Sequence, residues 1–289
     1  MDKIILSCNE NKQYYPFWKY VSWAYKKIFP NVEVHLAFLT QRSEDDEMVI
    51  QMRKSGLVTL FEPIKNISEF TQAKFIRFYL ASQQGDKVCY IDDVDIFPLS
   101  KKFIEDAIQQ RPKDHILCVG GEVYINTDSY GTYPISQMTA EGYIWKKLIN
   151  PKSLPLEDLL NELADEPIMF NKKENPKISP RLYSFVLSKN YLETNDWFSD
   201  EALMRRLLHK SDIKKFELAR GYSDISASTL DRYHNIPTIN NLEKLNNHQF
   251  VNYHCTRIGE VYDNDKMIEN EEQLKQNLQP LIDYINKFY

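Results

Sequence analysis

The chain has 289 residues, 43% of them hydrophobic and 13% aromatic, enough to bury a large core in one domain or two small ones. Its formal net charge is −5, which argues against a general nucleic-acid binder, because such a protein needs a basic surface. No apolar run approaches the roughly 20 residues that cross a bilayer, and the N-terminus has no signal-peptide pattern. The four cysteines are widely spaced, which excludes a zinc motif and predicts reduced thiols. We therefore expect a cytoplasmic protein with no transmembrane segment and no nucleic-acid partner.

The first half of the chain alternates strand and helix patterns. Apolar or alternating runs predict strands, and helical spacing with caps predicts helices, including one that Ser43 would cap. The predicted strands are Lys3–Cys8, Val32–Leu39, Leu57–Pro63, a run beginning at Val88 and His115–Tyr124, and the predicted helices are Phe17–Phe29, Ser43–Lys54 and Ser68–Gln84. Such alternation predicts an α/β domain with a mainly parallel sheet flanked by helices.

The second half, from about residue 125, is less regular. Helical patterns recur among turns, loops and short strands, at Tyr143–Ile149, Leu154–Asp165, Ser199–His209 and Glu271–Phe288. The sequence contains no dinucleotide-binding glycine fingerprint, P-loop, G-x-S-x-G or H-E-x-x-H motif. We find no repeat and no linker, so a single domain with an irregular second half is expected.

An acidic cluster follows the strand that begins at Val88. Asp92, Asp93 and Asp95 lie within four positions after the apolar run Val-Cys-Tyr-Ile. Crowded carboxylates are costly unless a cation neutralises them, and Mg²⁺ or Mn²⁺ would also bind phosphate oxygens. Ligands bind at the carboxyl ends of strands in open α/β sheets, which favours a metal–diphosphate site. The alternative is a solvated acidic turn.

Two cations lie on the helix before this strand. Lys74 and Arg77 are three residues apart and share a helix face, whereas Ala73, Ile76 and Leu80 form the predicted buried stripe. A lysine and an arginine beside an acidic strand end can neutralise a nucleotide diphosphate. A solvated charged face explains the pair equally well.

Acidic residues also open the helix that follows Trp197. Ser199 is a candidate N-cap, and Asp200 and Glu201 would stabilise the helix dipole whatever the function. A carboxylate held on such a rigid element can also deprotonate a hydroxyl.

A histidine, His254, ends an apolar strand pattern near the C-terminus. A lone histidine is more often a hydrogen-bonded core residue, but imidazole also suits Mn²⁺ as a further ligand. Charged residues in the preceding segment fit either structural ion pairs or ligand contacts: Arg220, Asp231 and Arg232.

Taken in order, these segments resemble the GT-A superfamily of nucleotide-sugar-dependent glycosyltransferases, which have a Rossmann-like fold. The resemblance covers most of the chain. Its segments are IILSCNEN, QAKFIRFYL, YIDDVDIFPL with its Asp-x-Asp (DxD) motif, TYPISQMTAEGYIWKKLI, WFSDEALM and YHCTR. The order of the two acids in WFSDEALM is reversed relative to the common Glu-Asp, so the base is open between Asp200 and Glu201.

The resemblance implies a role for each segment. Asp93, Asp95 and His254 would hold Mn²⁺ or Mg²⁺, and Asp200 would be the catalytic base, with Glu201 as the fallback. The donor would contact Cys8, Asn9, Lys74, Arg77, Asp92 and Asp93. Residues 1–262 would form the transferase domain, with a nucleotide-sugar half (1–124) and an acceptor half (125–262), followed by a C-terminal helical extension (263–289).

The implied activity is that of a hexosyl- or pentosyltransferase. It would move a sugar from a nucleoside diphosphate sugar to a hydroxyl of a glycan or glycoconjugate acceptor, with inversion at the anomeric carbon. Two alternatives stay open. An Asp-x-Asp strand end also occurs in haloacid dehalogenase-type phosphohydrolases, whose first Asp is a nucleophile, and the fold also suits a non-catalytic nucleotide-sugar or glycan binder.

Overall fold

The structure is a computed structural model that describes residues 1–65, 67–120, 135–165, 199–218, 228–230, 239–248, 250–259, 261–262 and 266–289. Its strands are β1 (Lys3–Asn9), β2 (Glu33–Leu39), β3 (Leu57–Phe61), β4 (Val88–Ile91), β5 (Ile96–Pro98), β6 (His115–Val119), β7 (Met138–Glu141), β8 (Lys214–Leu218), β9 (Ser228–Leu230), β10 (Phe250–His254), β11 (Val261–Tyr262) and β12 (Lys266–Met267). Its helices are α1 (Phe17–Ile28), α2 (Glu47–Ser55), α3 (Glu69–Ser82), α4 (Lys101–Gln110), α5 (Gly142–Ile149), α6 (Leu156–Asp165), α7 (Ser199–Lys210), α8 (Ile239–Asn246) and α9 (Glu271–Phe288). Among these helices, none is long and apolar enough to cross a membrane.

The central sheet has seven strands in the order β3-β2-β1-β4-β7-β6-β8. Six strands run in one direction, and β7 pairs antiparallel with both β4 and β6. This mainly parallel sheet with flanking helices confirms the predicted α/β fold class. The strand order turns back between β1 and β4, so their carboxyl ends form a topological switch point, where open α/β sheets leave a crevice.

Helices cover both faces of the sheet, as the alternating strand pattern requires. On β1, Ile4 and Leu6 join the buried cluster that contains Trp18 of α1, whereas Ile5 points to the opposite cluster with Phe75 of α3. Successive strand side chains point to opposite faces, so one short strand serves two cores. Helix α9 adds three buried leucines to the α1 side: Leu274, Leu278 and Leu281.

A second, small sheet redirects the chain after the acidic segment. The predicted run from Val88 to Leu99 is divided between β4 in the large sheet and β5 in a sheet of order β5-β10-β9. β5 pairs antiparallel with β10, with His254 opposite Ile96. This pairing carries the C-terminal strand back to the acidic turn between β4 and β5.

The predicted start of the second helix is wrong. Asp46, not Ser43, is the N-cap of α2, because its carboxylate accepts a hydrogen bond from the Met48 amide at 2.9 Å. Ser43 instead hydrogen-bonds Asp45 in the loop. An aspartate three residues further on therefore replaces the serine as the capping acceptor.

Burial of His35 makes stability depend on pH. His35 of β2 is 8% exposed and lies 2.8 Å from the Thr59 hydroxyl of β3. Burial, and secondarily Lys3, lowers the pKa of His35 from 6.5 to about 4, although Glu33 opposes the shift. The unfolded chain therefore binds a proton below about pH 6.5 that the folded chain takes up only near pH 4, so the contribution of His35 to folding stability falls as the pH falls through that window.

We predict that His35→Gln flattens this dependence. From pH 7 to pH 5 the histidine should remove up to about 2 kcal/mol of unfolding free energy, a loss that the neutral glutamine avoids. Urea unfolding at the two pH values measures the difference. The exposed His209→Gln is the control, and its unfolding free energy should change between the two pH values as that of the wild type does; the same change in His35→Gln would contradict the prediction.

Candidate active site at the switch point

A cavity of about 280 Å³ opens at the switch point. Its walls come from the ends of β1 and β6, one face of α3, the acidic turn, the start of α7 and the end of β10. The sequence-predicted residues that line it are Cys8, Asn9, Lys74, Arg77, Asp93, Asp95, Asp200, Glu201 and His254. The fold thus brings together residues that are widely separated along the chain.

Asp92 is the predicted site residue that the structure places behind the cavity, not in it. It is 1% exposed, and its carboxylate accepts hydrogen bonds from the Tyr25 hydroxyl at 2.6 Å, the Tyr90 hydroxyl at 3.4 Å and the Asp93 amide at 2.9 Å. Burial, and then the neighbouring Asp93, raises the pKa of Asp92 to about 8. Because these contacts all fix the turn, the position of Asp92 supports a structural role and not the predicted donor contact.

Arg77 joins the acidic turn to the start of α7. Its guanidinium donates to the Asp92 carbonyl oxygen at 2.9 Å, pairs with the Asp93 carboxylate and lies 3.6 Å from Asp200 Oδ2. Lys74, one helical turn earlier, pairs with Asp200 Oδ1 at 2.8 Å. Arg77 is 2% exposed, so the predicted solvated face does not exist at this position.

Asp95 forms a second charged contact, on the β10 side of the cavity. Its Oδ2 accepts a 2.8 Å hydrogen bond from Arg257 Nε and lies 3.6 Å from His254 Nε2. The Arg257 guanidinium in turn stacks 4.7 Å from the Tyr14 ring centroid. The Cys255 amide donates to the Asp95 carbonyl oxygen at 2.8 Å, which anchors the turn to the strand that carries His254.

The donor types at this position fit a divalent cation. Asp95 Oδ2 and His254 Nε2 are close enough to bind one ion after a small adjustment, because neighbouring ligands at about 2.1 Å from a metal lie roughly 3 Å apart. Within the described ranges, no three His, Cys, Asp or Glu side chains are already grouped as a metal site. Asp93 pairs with Arg77, so its carboxylate would have to change partner to become a third ligand.

Two residues that were predicted to contact the donor, Cys8 and Asn9, lie at the end of β1 and line the cavity. Cys8 is 4% exposed, and burial raises its pKa well above the usual range, so this thiol is a wall residue and not a nucleophile. The Asn9 carboxamide accepts a 3.2 Å hydrogen bond from the Asn11 amide, which shapes the loop after β1.

Sequence reasoning missed several cavity residues. Gln137 is 9% exposed and has φ of +60°, a left-handed backbone conformation that is uncommon for non-glycine residues. Asn252 and Tyr14 also line the cavity, and Arg257, quoted in the sequence pattern without a role, lines it too. Asn252 had a signal, since it lies two residues before His254 on the same strand face.

Other predicted residues lie outside the described residues. These are Trp197, Arg220, Asp231, Arg232 and the first part of the segment that begins at Thr132. The later part of that segment does reach the cavity, through Ile135, Ser136 and Gln137.

Known protein families and curated proteins give no match to the chain. Among solved structures, it is similar to the galactosyltransferase LgtC, solved with donor and acceptor sugar analogs, at 11% identity and a TM-score of 0.46 over 96% of this chain and 95% of that chain. It is similar to the glycosyltransferase GlyE of Streptococcus pneumoniae TIGR4 at 9% identity and a TM-score of 0.47, over 100% of this chain and 64% of that chain. It is similar to the mannosyltransferase PcManGT of Pyrobaculum calidifontis, solved with GDP-Man and Mn²⁺, at 11% identity and a TM-score of 0.36, over 73% of this chain and 75% of that chain. These three structural neighbours are glycosyltransferases; likenesses this distant assign no family, and function is argued from the site.

We predict that Arg77→Met destabilises the fold strongly. Removing the guanidinium takes a charged partner from Asp93 and leaves Asp200, which is 2% exposed, paired with Lys74; loss of one member of a buried ion pair costs about 3–5 kcal/mol. Urea unfolding would measure the loss. Lys147→Met, which breaks the exposed Lys147–Asp212 pair, is the matched control and should change stability little. Similar small losses in both variants would show that Arg77 does not hold the site together.

Proposed function

We propose that the chain is a GT-A-type glycosyltransferase that uses a nucleoside diphosphate sugar and transfers the sugar to a hydroxyl of a glycan or glycoconjugate. The observation that carries this proposal is the convergence of the DxD carboxylates, His254 and the Lys74–Arg77 pair on one cavity at the switch point. Carboxylates and an imidazole suit a hard divalent cation, and the two basic side chains suit a diphosphate. The residues that line this one cavity therefore offer ligands for a metal ion and cations for a diphosphate, the two things that a nucleotide-sugar site requires.

Asp95 and His254, joined by Asp93, would hold Mn²⁺ or Mg²⁺. When bound, the ion would offset the negative charge that develops on the leaving diphosphate. Arg77 and Lys74 would orient the phosphates from the α3 side, while Asp200 holds both basic side chains in place. Cys8 and Asn9 form the wall where the nucleoside would lie, and a hexose or pentose would then face the start of α7.

We further propose that the protein works in the cytoplasm. All four cysteines are buried thiols, in keeping with a reducing compartment.

Of the two candidate bases, the surroundings favour Glu201 in an inverting reaction. Asp200 Oδ1 is 2.8 Å from Lys74 Nζ, and Oδ2 is 3.6 Å from Arg77, so both oxygens face cations and not an incoming hydroxyl. Glu201 is the next residue of α7, lines the same cavity and is 8% exposed. We assign Asp200 to positioning Lys74 and Arg77, and Glu201 to accepting the proton of the acceptor hydroxyl.

The phosphohydrolase alternative lacks a supporting observation among the described residues. Asp92, one candidate nucleophile, is buried against Tyr25 and Tyr90, and Asp93, the other, pairs with Arg77. Trapping of an aspartyl-phosphate at either residue would overturn the transferase proposal in its favour.

We predict nucleotide binding that depends on a metal. With Mn²⁺, at least one of UDP, GDP and dTDP should raise the melting temperature of the wild type, because a ligand that binds only the native state stabilises it. Asp95→Asn should lose this shift, since it removes a charged ligand while keeping the shape of the side chain. Asp283→Asn, at an exposed position on α9, is the control and should keep the shift. If no nucleoside diphosphate stabilises the wild type with Mn²⁺ or Mg²⁺, the proposal fails.

We predict different effects for the two α7 carboxylates. Glu201→Gln should slow sugar transfer by roughly 10²-fold or more with little change in nucleotide affinity, the pattern for a group that acts in the transition state. Asp200→Asn should instead lower both folding stability and nucleotide affinity. Transfer rates, melting curves and calorimetric titration distinguish the two. If Asp200→Asn binds the nucleotide normally but no longer transfers sugar, Asp200 is the base. A product that keeps the donor's anomeric configuration would exclude a base at either residue.

A further inference from the structure

Asn252 is a buried amide on the cavity wall. It is 4% exposed and lies on β10, two residues before His254 and on the same face of the strand. The parallel pairing of β9 with β10 shifts register between Phe250 and Asn252. Such irregularities re-aim side chains and are common beside active sites.

The side-chain carbonyl oxygen of Asn252 is buried and accepts no hydrogen bond from the protein. A buried polar atom without a partner is destabilising, so native structures rarely keep one unless another molecule satisfies it. Asn252 lines the cavity, but the oxygen itself is shielded, so the side-chain amide has to rotate for a ligand to reach the oxygen.

The chemistry of the amide oxygen limits what the ligand can offer. A carbonyl oxygen only accepts, so its partner must carry a hydrogen-bond donor; an ionised phosphate does not. Two residues along a strand span about 7 Å, which separates Asn252 from the diphosphate expected at Asp95 and His254. A nucleotide sugar carries hydroxyls at that separation on both its ribose and its sugar.

We propose that Asn252 accepts a hydrogen bond from a hydroxyl of the donor and is a further donor-binding residue. This inference rests on the proposed function. It assigns to β10 two adjacent tasks, with His254 toward the diphosphate and Asn252 toward a hydroxyl of the ribose or of the sugar.

The test compares Asn252→Ala with Thr139→Val. Thr139 Oγ1 is likewise buried without a partner, but Thr139 does not line the cavity, so its variant is a matched control. Calorimetric titration would use Mn²⁺ with whichever of UDP, GDP and dTDP stabilises the wild type, and then the corresponding nucleotide sugar. Asn252→Ala should bind about 10-fold more weakly. Its melting temperature without ligand should stay near that of the wild type, and Thr139→Val should bind as the wild type does.

Two results would support the inference and assign the hydroxyl. Equal weakening for the diphosphate and the nucleotide sugar indicates the ribose, whereas weakening for the nucleotide sugar alone indicates the transferred sugar. Unchanged affinity for both ligands would overturn the inference and leave the proposed function intact. Two other results for Asn252→Ala would also overturn it. Weaker binding of Mn²⁺ in the absence of any nucleotide would make Asn252 a metal ligand, and a much lower melting temperature would make it a structural residue. A wild type that binds no diphosphate would refute the proposed function and this inference with it.

Discussion

The arrangement of the site depends on one buried guanidinium, that of Arg77. It reaches from α3 to the Asp92 carbonyl oxygen, the Asp93 carboxylate and Asp200, so it joins the acidic turn to a helix that begins more than a hundred residues later. A buried charge is stable only when it is paired and hydrogen-bonded. The same requirement therefore holds Arg77 in place and fixes the two carboxylates around it.

Three of the four acidic side chains that line the cavity face basic side chains of the same cavity. Asp93, Asp95 and Asp200 face Arg77, Arg257 and Lys74, and each contact joins segments that are distant in sequence. Under the proposed function, a divalent cation and a diphosphate would enter as a pair of opposite charges. The carboxylates of Asp93 and Asp95 could then turn to the cation, and the basic side chains could turn to the phosphates. No buried charge would be left uncompensated. This explains physically why metal and nucleotide would bind better together than either alone.

Local pattern was enough to predict a mainly parallel sheet, most of its helices and the edge where the candidate site lies, but it did not predict helices α4 and α8. The sequence predicts the strand ends near Asn9 and Asp93 and the basic face of α3, because periodicity and charge are local properties. The sequence could not show that Asp92 turns toward two tyrosines while Asp93 turns to the cavity, since this depends on the conformation of a turn. Nor could it show that Arg257 meets Asp95, because that contact requires the pairing of β5 with β10. The antiparallel insertion of β7 likewise comes from long-range pairing.

Several buried polar atoms of the protein have no hydrogen-bond partner, and some of them belong to residues of the cavity. Asn252 Oδ1, Arg77 Nε and Asp200 Oδ2 are buried without a hydrogen bond and belong to residues that line the cavity. Local violations of this kind are expected where a site is shaped for a ligand and not for stability alone. A ligand that supplies donors and acceptors at these atoms satisfies groups that the fold leaves unsatisfied, so ligand binding and folding stability are coupled at the same residues. The atoms that the fold leaves without partners are then the ones that a ligand can satisfy.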